Sequence, residues 1–188
     1  MEKANSIDQC GAMITRGAGN TEQAQAEGRY HVECRDASGA LKWEAPIDNL
    51  VTTQGKNYAL DAFLAGSNFT ASPFIGLISS TSYSAVAAAD TAASHAGWLE
   101  AGGANTPAYS QATRPAAVFS TASAGSKATS SAVVFSITST GTVKGCFLST
   151  SSAKDGTAGV LYSAGLFSAG DKAVSNGDTL SVTYTASL

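Results

Sequence analysis

The sequence predicts a mainly β protein: an antiparallel β-sandwich, jelly-roll-like, with one short helix and an extended N-terminal arm. Three observations carry that expectation. The last eleven residues alternate strictly, with Leu180, Val182, Tyr184, Ala186 and Leu188 on one side and Thr179, Ser181, Thr183, Thr185 and Ser187 on the other, the period of a half-buried strand. Short apolar runs recur along the chain between Gly, Asn, Asp and Ser turn signals, giving about eight to ten strands, the spacing of a sandwich rather than of βαβ units. Only one stretch, residues 53–64, shows helical spacing.

Taken in order, residues 1–28 read as an arm, broken by Gly11, Gly17, Gly19 and Gly28 and carrying no sustained period. Residues 29–188 form the β-rich domain. A hairpin is predicted over residues 30–45: Tyr30, Val32 and Cys34 alternate with His31, Glu33 and Arg35, the turn is Asp36-Ala37-Ser38-Gly39, and Leu41, Trp43 and Ala45 return. Thr53 is placed to cap the helix, Ala59, Leu60, Phe63 and Leu64 form its apolar stripe, and Gly66 stops it. Residues 74–78 are a wholly apolar run and so a buried strand. A region rich in Ala, Ser and Thr follows over residues 79–94. Residues 117–119 read as a brief strand and 120–131 as a small-residue loop. A second hairpin is expected between residues 133–138 and 142–149, turning at Ser139-Thr140-Gly141. Residues 160–162 and 166–167 supply another strand or bent pair, and the alternating terminal strand, opened by the turn Ser175-Asn176-Gly177-Asp178, completes the set.

Composition narrows the function classes. The chain has 188 residues, a net charge of −3 and few charged side chains, which speaks against nucleic acid as a partner because phosphate binding needs clustered Lys and Arg. No run approaches the roughly 18 apolar residues of a membrane helix, and Glu2, Lys3 and Asp8 interrupt any secretory signal. Three widely spaced cysteines, Cys10, Cys34 and Cys146, are no disulfide framework. Two buried thiols and one in the arm, in a protein made in a reducing cytoplasm, fit better.

Chemistry is thin. His31 and Cys34 fall on opposite faces of one strand and no second ligand pair is near, so no metal or cofactor is expected. Asp90, Ser94 and His95 hold the residue types of a hydrolase triad without a nucleophile elbow. Asp90 and Glu100 are two acids that only folding could bring together for glycosidase chemistry. Cys146 sits mid-strand among apolar neighbours, where a thiolate is disfavoured. Residues 16–20 and 55–57 lack the rest of a phosphate loop. A catalytic role is not expected of any of them. Trp43 and Trp98 are instead expected as core or interface anchors, His95 as a hydrogen-bonded structural histidine, and Glu100 and Arg114 as an ion pair. Tyr83, Trp98 and Tyr109 are the aromatics a glycan-binding surface would use.

One stretch is too particular for filler: Asp90-Thr91-Ala92-Ala93-Ser94-His95-Ala96-Gly97-Trp98-Leu99-Glu100, followed by Tyr109-Ser110 and Arg114-Pro115. Upstream stands Trp43-Glu44-Ala45-Pro46-Ile47-Asp48-Asn49-Leu50-Val51-Thr52; downstream stand Lys144-Gly145-Cys146-Phe147, Leu161-Tyr162-Ser163-Ala164-Gly165 and Gly177-Asp178-Thr179-Leu180. In this order, over roughly residues 11–188, the chain resembles a group of tailed-bacteriophage virion structural proteins; Leu99 departs from the pattern, where that position is more often polar. The resemblance implies a non-enzymatic virion component, assembled in the host cytoplasm as a homo-oligomer and bound to other virion proteins, either the major capsid protein or the rings of the tail and portal. It implies structural or interface roles for Trp43, Asp90, His95, Trp98, Glu100, Tyr109 and Arg114. Physical reasoning is compatible: short Ser, Thr, Ala and Gly side chains lose little rotamer freedom at an interface, and few charges leave little repulsion between packed copies. A capsid decoration (cement) protein, gripping the shell through its β-domain and arm, is the first expectation. A tail collar, adaptor or fibre-attachment ring is the second, and a receptor- or glycan-binding module the third.

Overall fold

The computed structural model describes residues 26–65 and 73–187. Ten strands and one helix follow one another: β1 (Glu27–Arg35), β2 (Leu41–Val51), α1 (Thr53–Ala65), β3 (Phe74–Ser79), β4 (Glu100–Ala101), β5 (Ser126–Ala128), β6 (Val133–Ser136), β7 (Gly141–Ser149), β8 (Leu161–Leu166), β9 (Lys172–Val174) and β10 (Thr179–Ser187). Every pairing among them is antiparallel, and the fold is mainly β and sandwich-like, as the alternation and turn spacing predict.

The strand order is β4-β3-β7-β8-β2-β1-β10-β5, with β6 also on β10 and β9 also on β7. β2 is the hinge of this path. Its residues up to Asp48 face β1, whereas Asn49–Val51 face β8. A strand that changes partners in this way turns a corner and lets one sheet fold into two layers. Gly165 marks the corner: an added Cβ there would overlap the Ile47 side chain and the Asp48 carbonyl. Pro46 is tolerated in β2 because it lies before the β8 pairing begins, so no ladder bond is asked of it on that side.

Between the layers lies the main core. Tyr30, Val32, Cys34, Ala45, Ile47, Leu180, Val182 and Tyr184 from one layer meet Ile75, Leu77, Val143, Cys146 and Leu148 from the other, all buried. The alternation of β10 therefore reads true, with Leu180, Val182 and Tyr184 inward and its hydroxyl residues outward. The β1–β2 hairpin closes as expected, Asp36 Oδ1 accepting from the amides of Ser38 and Ala40 while Gly39 takes φ +88°. A second, smaller core lies on the outer face of the β7 layer, where Phe147, Ile78, Leu161 and Ala164 are covered by Ala92 and Trp98 of the long loop between β3 and β4. β7 is thus buried on both faces.

Several sequence expectations are corrected. The second hairpin does not form: β6 pairs with β10, and β7 pairs with β3, β8 and β9. Both hydrogen-bonding edges of β7 are filled, by β3 along one side and by β8 and β9 along the other, which leaves no edge for β6. Gly141 takes no positive φ to make a tight return, and Ser139 Oγ instead accepts from the Ala108 amide. The helix is capped by Thr52, not Thr53: Thr52 Oγ1 accepts from the Gly55 amide at 2.9 Å. Leu60 and Leu64 of its apolar stripe are not buried, at 56% and 75% exposure; the first turn of α1 is held by Gln54, whose Oε1 accepts from the amides of Ala92 and Leu161. Residues 117–119 form no strand, only the isolated bridge Phe119–Thr129 next to that of Phe74–Ala116, and the expected loop 120–131 contains β5. Residues 1–25, most of the expected arm, with Cys10 among them, lie outside the described residues, while Glu27 and Gly28 belong to β1.

Candidate functional site

Five of the seven residues singled out by sequence gather in two connected nodes on the outer face of the β3–β7 layer, and a sixth, Tyr109, borders them from the main core. In the first, Glu100 of β4 and Arg114 form a buried bidentate pair, Nε to Oε1 at 2.8 Å and Nη2 to Oε2 at 2.7 Å. The remaining donor arm is used as well: Arg114 Nη1 donates to the Ser151 carbonyl at 2.9 Å. The Asp155 amide adds a 2.6 Å bond to Glu100 Oε2. Both side chains are almost fully covered, at 4% and 2% exposure. Each nitrogen and oxygen of the pair is committed internally, which leaves nothing with which to grip a substrate.

Tyr109 borders the same node. Its ring packs edge-on against Phe135, and Lys154 Nζ sits 3.7 Å from the ring centroid while donating to the Gly102 carbonyl at 2.9 Å. Gly102 must be glycine: its φ is +96°, and a Cβ would overlap the Tyr109 ring. Burial, and then the nearby Glu100 carboxylate, push the Tyr109 phenol well above its ordinary value.

In the second node, the Trp98 Nε1–H donates to Asp90 Oδ2 at 2.9 Å, and the same oxygen accepts from the Ala87 amide at 2.9 Å. His95 stacks on Trp98 with ring centroids 4.0 Å apart. Its Nδ1 lies 3.0 Å from the Trp98 carbonyl, so that nitrogen carries the proton. Asp90 and His95 both serve Trp98, and among the described residues no hydrogen bond joins them to each other or to the Ser94 hydroxyl. The residue types of a triad are present without its geometry.

Phe147 connects the nodes. Its ring centroid lies 5.1 Å from that of Trp98 and 5.0 Å from the Arg114 guanidinium carbon. Gly76 of β3 makes room for it, because any side chain there would overlap the ring. Trp43 stands apart, half-buried, donating from Nε1 to the Ala173 carbonyl at 2.9 Å and meeting Phe167 edge-on. It ties β2 to β9. Two of the aromatics expected for a glycan surface are corrected: Trp98 is 1% and Tyr109 4% exposed. Tyr83 packs against the smaller core, with Lys144 Nζ 4.3 Å from its ring centroid.

Sequence reasoning missed a third cluster. Asp178, taken as part of a turn signal, is buried; its Oδ2 accepts from Lys42 Nζ, from the Ser175 amide at 2.7 Å and from the Cys34 thiol at 3.6 Å. Burial raises the Asp178 carboxyl, but the Lys42 ammonium and the donors from Ser175 and Cys34 together outweigh it and hold the group below its ordinary value of 3.8. Burial, and then the Asp178 charge, push the Cys34 thiol up to about 12, and burial raises that of Cys146. Neither is a nucleophile near neutral pH.

The sign of the Asp178 effect follows. A folded carboxyl held low contributes stability that is present above the unfolded value near pH 4 and is lost as pH falls through the lower folded value. An Asp178→Asn variant is therefore expected to be less stable than the parent at pH 6. The gap should narrow below about pH 4, as read by urea unfolding at a series of pH values. An unchanged gap at acid pH would mean that Asp178 is not held as a carboxylate.

Among the described residues, no group of three or more His, Cys, Asp or Glu is placed to hold a metal, and no helix is long and apolar enough to cross a membrane. Among the described residues, two concavities lie away from the nodes. One, of about 420 Å³, lies on the outward face of β1 and β10, between Arg29, His31, Asp48, Thr183 and Thr185. The other, an apolar groove of about 450 Å³, lies between α1 and the end of the sandwich, with Tyr58, Phe119, Leu148, Tyr162 and Tyr184 in its walls. Neither contains the arrangement of base, nucleophile and charge-stabilising donors that catalysis requires. No family model matches this chain, and no curated protein matches it.

Proposed function

We propose that this chain is a structural protein of a tailed-bacteriophage virion, a decoration subunit seated on the outside of the shell. Support comes from the Asp90–Glu100 stretch with its Tyr109 and Arg114 partners, which resembles virion structural proteins and whose side chains here act as scaffold. Asp90, His95, Trp98, Glu100 and Arg114 hold a long loop against a sheet, and a signature that maintains a fold suits an assembly protein better than an enzyme.

The observation that carries the reading is the surface of α1. Leu60 and Leu64 stand 56% and 75% exposed on a helix whose first turn is hydrogen-bonded to the domain through Gln54. Paired large apolar side chains in water mark a contact surface. Elsewhere on the surface the outward side of β10 is a row of neutral hydroxyls, Thr179, Ser181, Thr183, Thr185 and Ser187, able to meet a neighbour without stripping hydration from charges. The shell protein is the partner this reading assigns, with further copies of the chain around it. Counting copies in purified particles tests it: a shell protein occurs at hundreds per particle, whereas about six or twelve would assign the chain to a tail ring.

A further inference from the structure

We propose that Asn176 is a modification site: its side-chain amide is lost by attack of the Gly177 backbone nitrogen, and the aspartate or isoaspartate that results loosens the turn holding Asp178. The inference stands independently of the virion reading, because it concerns the chemistry of the isolated chain.

Asn176-Gly177 is the one Asn-Gly pair in the sequence, and it lies in the exposed turn between β9 and β10. In the reaction the Gly177 nitrogen bonds to Asn176 Cγ and the Cγ–Nδ2 bond breaks. Nδ2 departs as ammonia with the proton that the Gly177 nitrogen gives up, and a succinimide ring remains. Water then opens the ring at either carbonyl. One opening gives aspartate in the ordinary chain. The other gives isoaspartate, whose main chain runs through the side-chain carbon and is longer by that carbon. Nothing is oxidised or reduced. Glycine favours ring closure because, without a Cβ, it lets its nitrogen approach Cγ.

The turn needs Gly177, at φ +91°, but makes no use of the Asn176 side chain. That side chain is exposed and has no hydrogen bond among the described residues; only the Asn176 backbone N–H is engaged, donating to Thr140 Oγ1 at 3.4 Å. Other asparagines are better held. Asn49 Nδ2 donates to Tyr184 Oη and Asn105 Nδ2 to the Glu100 carbonyl, while Asn57 lies within α1. The restraint at the site falls on the attacking nitrogen. Gly177 N–H donates to the Ile137 carbonyl at 2.9 Å, and Ile137 N–H donates to the Asp178 carbonyl at 2.8 Å. The nitrogen must leave this pair before it turns on Asn176, so ring closure proceeds from a locally opened turn.

The same turn closes on Asp178. Asp178 N–H donates to the Ser175 carbonyl at 3.0 Å, and Ser175 N–H donates back to Asp178 Oδ2 at 2.7 Å. An added main-chain carbon between Ser175 and Asp178 lengthens the loop that these two bonds close, and so weakens the hold of Asp178 on Lys42 and Cys34.

The full chain, folded and in urea, is incubated in mildly alkaline buffer. The peptide around residue 176 is followed by mass spectrometry, with isoaspartyl methyltransferase reporting the isoaspartate. Asn176 is expected to convert ahead of the other described asparagines, and at least about tenfold more slowly in the folded chain than in urea, by the fraction of time the turn is open. Asn176→Gln, whose longer side chain must close a larger and slower-forming ring, should stay unmodified. Aged parent protein should unfold at lower urea than fresh protein, and aged Asn176→Gln should not. A folded chain that stays unconverted at residue 176, equal rates in the two states, or a converted chain as stable as the fresh one would overturn the proposal.

Discussion

Arg114→Ala is expected to lower the stability of the domain by about 3–5 kcal/mol, the cost of leaving a buried carboxylate without its partner. For a domain of this size that is a fall in Tm on the order of 10 °C. The expectation rests on geometry. Both Glu100 oxygens accept from Arg114, the pair is almost fully covered, and Arg114 also holds the Ser151 carbonyl. Alanine therefore strands a charge and also frees the loop that carries Asp155. Glu100→Gln should also be destabilising, because the amide keeps the shape and one acceptor but leaves the buried guanidinium without its counter-charge. The double change Arg114→Met with Glu100→Leu should recover part of the loss, since removing both charges also removes the cost of burying them. Urea unfolding of the four proteins measures this directly. An Arg114→Ala variant within about 0.5 kcal/mol of the parent, the range of an ordinary surface change, would show that the pair is not buried in solution.

Trp98→Ala is the second large effect, expected at about 3–5 kcal/mol, the usual cost of truncating a buried aromatic. Trp98 lies between the His95 ring and Phe147, and it closes the smaller core over β7. Trp98→Phe separates the two parts of its contribution. It keeps most of the packing but removes the Nε1–H from Asp90 Oδ2, leaving a buried acceptor one donor short at roughly 1–3 kcal/mol. Asp90→Asn should cost no more than Trp98→Phe, because the amide oxygen can still accept from both donors. Amide exchange over residues 84–98 is the local readout, expected to accelerate in Trp98→Ala before the β1–β10 ladder does. Simultaneous acceleration everywhere would mean that the loop and the sheet unfold as one unit.

What the sequence disclosed follows from where its signals are local. β10 alternates without interruption, and the β1–β2 turn contains Asp36 and Gly39, the residues its geometry uses; both are legible because a strand face and a tight turn are written in adjacent residues. The Glu100–Arg114 pair was legible for a different reason. Both residues stand in the motif that sets this stretch apart, and a Glu and an Arg in so uncharged a stretch are natural partners for each other. The β6–β7 hairpin misled because adjacency in sequence was taken for adjacency in the sheet, while the two-sided burial of β7 depends on strands over sixty residues before it and some twenty after it. Asp178 was hidden because a Ser-Asn-Gly-Asp run reads as a solvent turn, and only the fold brings Lys42 and Cys34 to it. Phe147 and Gly76 carried no signal as a pair, since the need for a bare backbone under a ring exists only once β3 and β7 are neighbours. The exposed stripe of α1 is the most informative miss. Helical periodicity reports an apolar face but not what covers it, and here the domain itself leaves Leu60 and Leu64 open.

That open face is where the account is most exposed to test. Particles assembled with the parent chain and with a Leu60→Asp, Leu64→Asp variant should be purified and the copies of the chain per particle counted against the shell protein by quantitative mass spectrometry. The account predicts parent copies on the order of hundreds per particle, and at least a tenfold loss for the variant, which keeps its folded circular dichroism because both positions are already in water. A parent chain absent from washed particles, or a variant retained at full occupancy, would contradict it.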